Sequence, residues 1–288
     1  MLKRLFATRK HPYMPGLNTP EQLHINLSGS VLSLKLPPHY SSDGFEAHCD
    51  PIEAMNIYDP TGYSGDPMGT AVFNRKRFIS RAWELFGPLS RLRNIGSISF
   101  VAVVERIDSL PEGMSCFNPN HFEQVINRLM FKMGPETPQI EPKVAPVNWC
   151  TEIKNDCLWV CYEMRKADDG DPESFAPSQF SSYAVTPVDD HHYIRLMFHN
   201  LGYKPAEHSN RFVNSVRDKV LNSVTLTLSE HAHQRRAEVQ SQSPDASISQ
   251  QRQPYNWVYP EWRDGDTDKG ERHVVITQYH TQPPKFHL

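Results

Sequence analysis

The chain has 288 residues, of which 38% are hydrophobic, 22% charged and 10% aromatic, and its formal net charge is −3. This composition is typical of globular proteins and excludes a wholly disordered chain, a coiled coil and a collagen-like fibre. A dedicated nucleic-acid-binding protein would usually be clearly basic, and no apolar run is long enough to span a membrane.

Residues 1–24 are dotted with prolines and lack a regular hydrophobic period, which predicts a flexible arm. The first ten residues are basic, but Leu5-Phe6-Ala7 is too short an apolar core for a secretion signal. A mitochondrial transit peptide is a second interpretation of this basic stretch. The five cysteines are odd in number and form no C-x-x-C motif, so they predict reduced thiols in a cytoplasmic protein.

The regular pattern begins at residue 25. Alternating apolar residues on both sides of Ser28-Gly29-Ser30 predict a hairpin of two short strands within Ile25–Leu36. Apolar residues at helical spacing predict a short helix over Arg77–Phe86. Ile95–Ile107 is rich in β-branched residues and apolar on both faces, which predicts a strand in the centre of a sheet.

The second half combines two helices with strand pairs. Apolar stripes predict helices over His121–Met133 and Asn210–Leu221, and the second runs into a strand-like Ser223–Leu228. The predicted strand pairs are 147–153 with 157–165, turning at Asn155-Asp156, and 181–187 with 192–199. Strand runs with few helices predict an α+β fold, mainly antiparallel sheet flanked by helices.

The composition changes after residue 228. Segment 229–254 is rich in Gln, Ser, Arg and Ala with almost no large apolar residues, which predicts a polar linker that is helical at most at its start. Segment 255–288 is apolar again and is interpreted as an aromatic C-terminal tail. The predicted domain is therefore 25–228, preceded by the arm 1–24.

This order of elements resembles the PsbP-like α/β/α sandwich. The hairpin at Ile25–Leu36, the meandering strands and the closing helix that runs into Ser-Val-Thr-Leu carry the resemblance. It covers about residues 25–228, with insertions around 50–70 and 166–180. The fold is shared by a photosystem lumen protein, a Ran-binding nuclear import factor and a bacterial domain found beside type VI secretion effectors. The resemblance implies binding, as in toxin-immunity proteins and chaperones, and brings no catalytic residues.

Charge is distributed unevenly along the chain. Residues 71–106 hold seven basic and two acidic side chains, whereas residues 156–190 hold eight acidic and two basic ones. Such asymmetry would steer a basic partner to the acidic region, where acidic side chains could mimic phosphates in a nuclease groove. The alternative is a solvated loop that binds nothing. The predicted partner-binding acids are Asp168, Asp169, Asp171, Glu173, Asp189 and Asp190.

The tail supplies a second candidate surface. Its aromatic residues are of the types that anchor protein interfaces. The predicted anchors are Tyr255, Trp257, Tyr259 and Trp262. The alternative is that the tail folds back and covers an apolar face of its own domain.

Sites for chemistry are weakly indicated. Phosphate-binding, dinucleotide-binding, zinc-protease and serine-hydrolase motifs do not occur in the sequence. Asp189, His191 and His192, together with His199, are the best metal candidates, but adjacent strand residues point to opposite faces. Cys157 and Cys161 share one strand face and Cys150 could lie across the hairpin; the nearby sequence is acidic, so core cysteines are favoured over a reactive thiol.

The sequence thus predicts a cytoplasmic, non-enzymatic immunity protein without a cofactor or bound metal. It would occlude the active site of a basic bacterial toxin, for example a nuclease, and would contact neither nucleic acid nor membrane directly. Three alternatives remain open: a chaperone or adaptor for a secreted effector, a metal-dependent hydrolase of unrecognised type, and a structural subunit of a larger assembly.

Overall fold

The structure, a computed structural model, describes residues 2–41, 51–64, 73–89, 93–133, 143–168, 171–255, 261–264, 273–277 and 284–288. A 3-10 helix spans Leu2–Phe6. The α-helices are α1 (Pro119–Met133), α2 (Ala206–Asn222) and α3 (Glu230–Gln242). The strands are β1 (Glu21–Leu27), β2 (Ser30–Leu36), β3 (Ala54–Met55), β4 (Phe73–Phe86), β5 (Asn94–Ile107), β6 (Lys143–Lys154), β7 (Cys157–Asp168), β8 (Asp171–Pro187), β9 (His192–Leu201), β10 (Thr225–Thr227), β11 (Glu261–Asp264) and β12 (His273–Thr277).

Six strands form the main sheet in the order β4-β5-β9-β8-β7-β6, and each neighbouring pair is antiparallel. The β-branched strand β5 is interior, as predicted, because β4 and β9 pair with its two edges. The predicted turn at Asn155-Asp156 joins β6 to β7, and both residues have positive φ, the backbone that tight hairpin turns require. The predicted α+β class with a mainly antiparallel sheet flanked by helices is confirmed.

A smaller sheet has the order β10-β2-β1-β3. The predicted hairpin is β1–β2, in which Leu27 pairs with Ser30 around Ser28 and Gly29, and both turn residues have positive φ. The strand-like sequence after α2 forms β10, which joins β2 in antiparallel register. The chain therefore returns from its last core helix to its first hairpin.

The main sheet has a hydrophobic core on each face. On one face, the small sheet and α2 contribute residues such as Leu32 and Val216. On the other face, α1 contributes the apolar stripe predicted from its sequence, including Phe122 and Ile126. Among the helices of the described ranges, none is long and apolar enough to cross a membrane.

The helix predicted over Arg77–Phe86 is wrong, because this segment is the second part of β4. All residues from Phe78 to Phe86 are buried, so both strand faces are covered and the alternation of apolar and polar residues is lost. The buried Arg81 is compensated: its Nη2 donates to Glu21 Oε2 at 2.6 Å and its Nη1 donates to the Pro37 carbonyl at 2.8 Å.

The outer edge of β4 is covered by earlier parts of the chain. Tyr13 forms two backbone hydrogen bonds with Phe86, and Tyr40 forms a bridge with Trp83. Since an uncovered sheet edge invites pairing with other chains, these bridges protect the sheet. Part of the segment predicted as a flexible arm, residues 1–24, is therefore fixed to the main sheet.

Candidate partner-binding surface

The end of the β7–β8 hairpin extends beyond the rest of the main sheet. Within the described ranges, β9 pairs with β8 as far as Gln179, and β6 pairs with β7 as far as Lys166. Beyond these positions the two strands pair with each other, at Ala167 with Phe175 and at Asp168 with Asp171. We call this extension, residues 167–168 and 171–178, the acidic arm.

The acidic arm contains three of the predicted partner-binding residues. Asp168 ends β7, whereas Asp171 and Glu173 lie in the first part of β8. Their side chains are outside the described part of the structure, and Asp169 lies outside the described residues altogether. The register brings the three described positions, 168, 171 and 173, to one end of one hairpin.

Asp189 lies in the turn between β8 and β9, at the opposite end of β8 from the arm. Its carboxylate accepts hydrogen bonds from His192 Nδ1 at 2.8 Å and from the backbone N–H groups of His191 and His192 at 2.7 Å. Burial alone would raise the pKa of Asp189, but these bonds and the His192 charge lower it below 3.8. Asp189 therefore stabilises the turn as an ionised side chain.

Tyr58 covers this turn from the loop that follows β3. Its ring meets the His192 ring edge-on at 5.6 Å between centroids. Burial, and then the nearby charge of Asp189 and a hydrogen bond to it, raise the pKa of Tyr58 to about 12. Tyr58 thus remains a neutral donor at neutral pH.

Asp190 connects the same turn to α3. Its Oδ2 accepts from Arg235 Nε at 2.8 Å, and its backbone carbonyl accepts from the Cys116 N–H at 2.9 Å. The acidic region predicted as one surface is therefore divided in two. Asp189 and Asp190 form internal contacts at one end of β8, and the acidic arm lies at the other.

A cavity of about 430 Å³ adjoins this turn. Its lining mixes charged, aromatic and hydroxyl groups and includes His191, His231 and Arg235. His192 Nε2 is buried and has no hydrogen-bond partner among the described residues. The cavity could admit a small polar molecule, but the aspartates of the turn are already bonded to neighbouring side chains.

The four residues weighed as metal ligands do not come together. His199 lies seven residues further along β9, where its Nδ1 is 2.7 Å from Ser181 Oγ. His191 and His192 contact Asp189 through different groups, as described above. Within the described ranges, no group of three or more His, Cys, Asp or Glu side chains is placed to hold a metal ion.

Two described parts of the tail, Tyr255 and residues 284–288, pack on the domain. The Tyr255 N–H donates to the Ala145 carbonyl at 2.9 Å, and its ring lies 5.1 Å from the Arg252 guanidinium. Near the C-terminus, Phe286 packs against the core beneath α1. Trp257 and Tyr259 lie outside the described residues. Trp262 lies in β11, which pairs with β12, and its side chain is outside the described part.

The segment predicted as a polar linker, 229–254, also contacts the domain. The Ser229 hydroxyl caps α3 by accepting from the Ala232 N–H at 3.2 Å. Further on, Trp149 Nε1 donates to the Ser249 carbonyl at 2.7 Å, and Ile248 is buried. Few apolar residues are needed here because the segment follows an existing surface instead of forming its own core.

The four described cysteines differ in their exposure. Of the three cysteines predicted to be core residues, Cys157 is buried and Cys161 is partly buried, but Cys150 is exposed; Cys116 is buried as well. Cys150 lies directly across the β6–β7 hairpin from Cys161, as the turn at Asn155-Asp156 indicates. Their basic neighbour, Arg217 of α2, was missed, since no local sequence signal relates α2 to this hairpin.

The chain matches no protein-family model, no curated protein and no solved structure. The proposals below therefore rest on the sequence and on the geometry of this chain.

Proposed function

We propose that the protein is a cytoplasmic, non-enzymatic binding protein whose acidic arm engages a basic protein partner. The partner is proposed to be a bacterial toxin, such as a nuclease, whose active site the arm occludes. In this role the protein is an immunity protein, as the resemblance of its element order implies for type VI secretion systems.

The observation that supports this proposal is the position of the acidic arm. Among the described residues, its strands pair only with each other beyond Gln179 and Lys166, so the arm extends past the paired part of the six-stranded sheet. A two-stranded projection is narrow enough to enter a groove, and its carboxylates are suited to the lysines and arginines that hold a phosphate backbone. Such charge complementarity mainly raises the association rate and the specificity.

The internal contacts of the other acids strengthen this assignment. Asp189 is hydrogen-bonded to His192, and Asp190 forms an ion pair with Arg235, so both acids already have partners within the protein. Gln179 is the last residue of β8 that pairs with β9, and eight consecutive residues of β8, 171–178, lie beyond it in the arm. The arm is therefore the part of the acidic region best placed to meet another molecule.

The proposal is tested by capture from the native cell. A tagged wild-type chain should retain one stoichiometric basic companion, whereas a variant with Asp168, Asp169, Asp171 and Glu173 changed to lysine should lose it. The matched control changes four exposed acids elsewhere to lysine, with the same total change in charge. These control positions are Glu53, Glu112, Glu207 and Asp245.

Retention by the control variant and loss by the arm variant would support the arm as the binding site. Equal retention by both variants would contradict it, and equal loss would show that only net charge matters. If the companion is a secretion-system component and not a toxin, the chaperone or adaptor alternative is supported. The hydrolase alternative predicts stoichiometric metal in the purified protein, which elemental analysis measures.

A further inference from the structure

Two cysteine residues face each other across the β6–β7 hairpin. Cys150 of β6 is the direct register partner of Cys161 of β7. Directly opposed residues in antiparallel strands have Cα atoms about 4.5–5.5 Å apart, which lies within the roughly 4.4–6.8 Å that a disulfide spans. The backbone therefore already has the separation that a bond between these two thiols requires.

The two thiols have different environments. Cys150 is exposed, whereas Cys161 is partly buried and packs against the core shared with α2. The Cys161 thiol donates a hydrogen bond to Cys150, and this bond, more than the charge of Arg217, lowers the pKa of Cys150 to about 7. The same bond and burial raise the pKa of Cys161. One thiol is thus both accessible and easily ionised, and its neighbour is held as a protonated donor.

Both thiols line an open cavity of about 410 Å³ between the hairpin and α2. Charged groups from each adjoining element face it: Glu152 and Lys154 from β6, Glu163 from β7, and Arg217 with Asp218 from α2. Glu163 is already bound by Arg165 and by Arg217. A small polar reagent can therefore reach Cys150 without displacing any part of the core.

The other described cysteines differ from this pair. Burial raises the pKa of Cys157, and that of Cys116 lies well above 9.0 for the same reason. Cys157 is on the same strand face as Cys161, but its register partner is Lys154. Cys157 thus serves as a matched control, four residues from Cys161 in a hairpin of the same geometry.

We propose that Cys150 and Cys161 form a redox-active dithiol site, which hydrogen peroxide oxidises to a reversible disulfide within the chain. Cys150 is the attacking residue, and Cys161 is the resolving residue. This site is separate from the acidic arm, so it adds thiol chemistry to the binding function proposed above.

The chemistry balances with one peroxide molecule per pair. The Cys150 thiolate attacks one peroxide oxygen; an S–O bond forms, the O–O bond breaks, and the departing hydroxide takes a proton to become water. The Cys161 sulfur then attacks the sulfenic sulfur of Cys150. The S–S bond forms, the S–O bond breaks, and the hydroxyl leaves as water with the Cys161 proton. Two thiols are oxidised and one peroxide is reduced to two waters, and an external thiol restores the dithiol by exchange.

The test uses the full-length, reduced wild-type chain and a few equivalents of hydrogen peroxide. The expected product is 2 Da lighter, and peptide mapping should locate a bond between Cys150 and Cys161. Trypsin alone leaves Cys157 and Cys161 on one peptide, Asn155–Arg165, so chymotryptic cleavage after Trp159 is also needed. Failure of this disulfide to form, or a bond from Cys150 to Cys157 instead, would overturn the proposal.

Alkylation of Cys150, followed by mass spectrometry, supplies a readout that a merely structural cysteine would not give. In the wild-type chain its rate should rise with a midpoint near pH 7. Cys161→Ala should move this midpoint towards 8.5, the value of an ordinary thiol, and should leave a sulfenic acid on Cys150 that dimedone traps after peroxide. Cys157→Ser should change neither result. An unshifted midpoint in folded Cys161→Ala, shown to be folded by circular dichroism, would contradict the role of Cys161.

Discussion

Breaking a buried ion pair beneath α1 should lower the stability of the fold. Glu105 of β5 and Arg195 of β9 bind each other with side chains only 2% and 5% exposed. Arg195 also donates to the Met133 sulfur at 3.4 Å, and its guanidinium lies 6.0 Å from the Tyr183 ring centre. We predict that Glu105→Leu strongly destabilises the fold, because it leaves the guanidinium buried without its carboxylate.

The magnitude follows from this burial. Burial disfavours the charged form of Arg195, but Glu105 raises its pKa, so Arg195 keeps its charge in the folded protein. Removing one partner of a buried pair costs about 3–5 kcal/mol. For a domain of this size, that corresponds to a fall in melting temperature of roughly 6–20 °C.

The assay is thermal and urea unfolding of three variants beside the wild type. The double variant Glu105→Leu/Arg195→Met should lie within about 2 kcal/mol of the wild type, since an apolar replacement of both partners leaves no buried charge. Glu207→Gln disrupts an exposed pair with Arg211 and should cost less than about 1 kcal/mol. The reasoning is refuted if Glu105→Leu costs no more than Glu207→Gln, or if the double variant is as unstable as the single one.

Three smaller predictions concern the β8–β9 turn and α3. The pKa of Asp189 lies below 3.8 in the folded protein. The ionised side chain therefore contributes to the free energy of unfolding above pH 3.8, and this contribution is lost as the pH falls through the pKa of the folded state. Asp189→Asn should therefore destabilise the fold at pH 7. The difference in free energy of unfolding from the wild type, measured by urea titration, should become smaller below pH 3.8. Tyr58→Phe should cost about 1 kcal/mol in the same assay through the lost hydrogen bond to Asp189. Ser229→Ala should cost about 0.5–2 kcal/mol and increase hydrogen exchange in α3, whereas Ser229→Asp should not.

Much of the fold could be predicted because local patterns and tertiary burial agree. The hairpin at Ser28-Gly29 and the turn at Asn155-Asp156 combine alternating apolar residues with residues suited to positive φ. The stripe on α1 follows from its docking on one side only. In β4, both faces of the second part are buried, so apolar residues occur at spacings that also fit a helix. Local sequence does not distinguish the two possibilities there.

The site was predictable only in part, because linear charge counts contain no information about strand length. The described acids that were predicted to bind a partner lie near the two ends of the 17-residue strand β8. Arg235 approaches Asp190 from a segment interpreted as a linker. Similarly, the turn placed Cys150 opposite Cys161, but only the packing of α2 brings Arg217 to the thiols. Contacts between distant segments determine these environments.

The claim that the acidic arm binds the partner is tested most directly by measuring the affinity of the captured partner for three purified chains. These are the wild type, the arm variant and the control variant. The arm variant has lysine at 168, 169, 171 and 173, and the control variant has lysine at 53, 112, 207 and 245. Isothermal titration at two salt concentrations gives the dissociation constants. We predict at least a tenfold loss for the arm variant, a smaller salt dependence, and little change for the control. Equal affinity of the arm variant and the wild type would contradict the account.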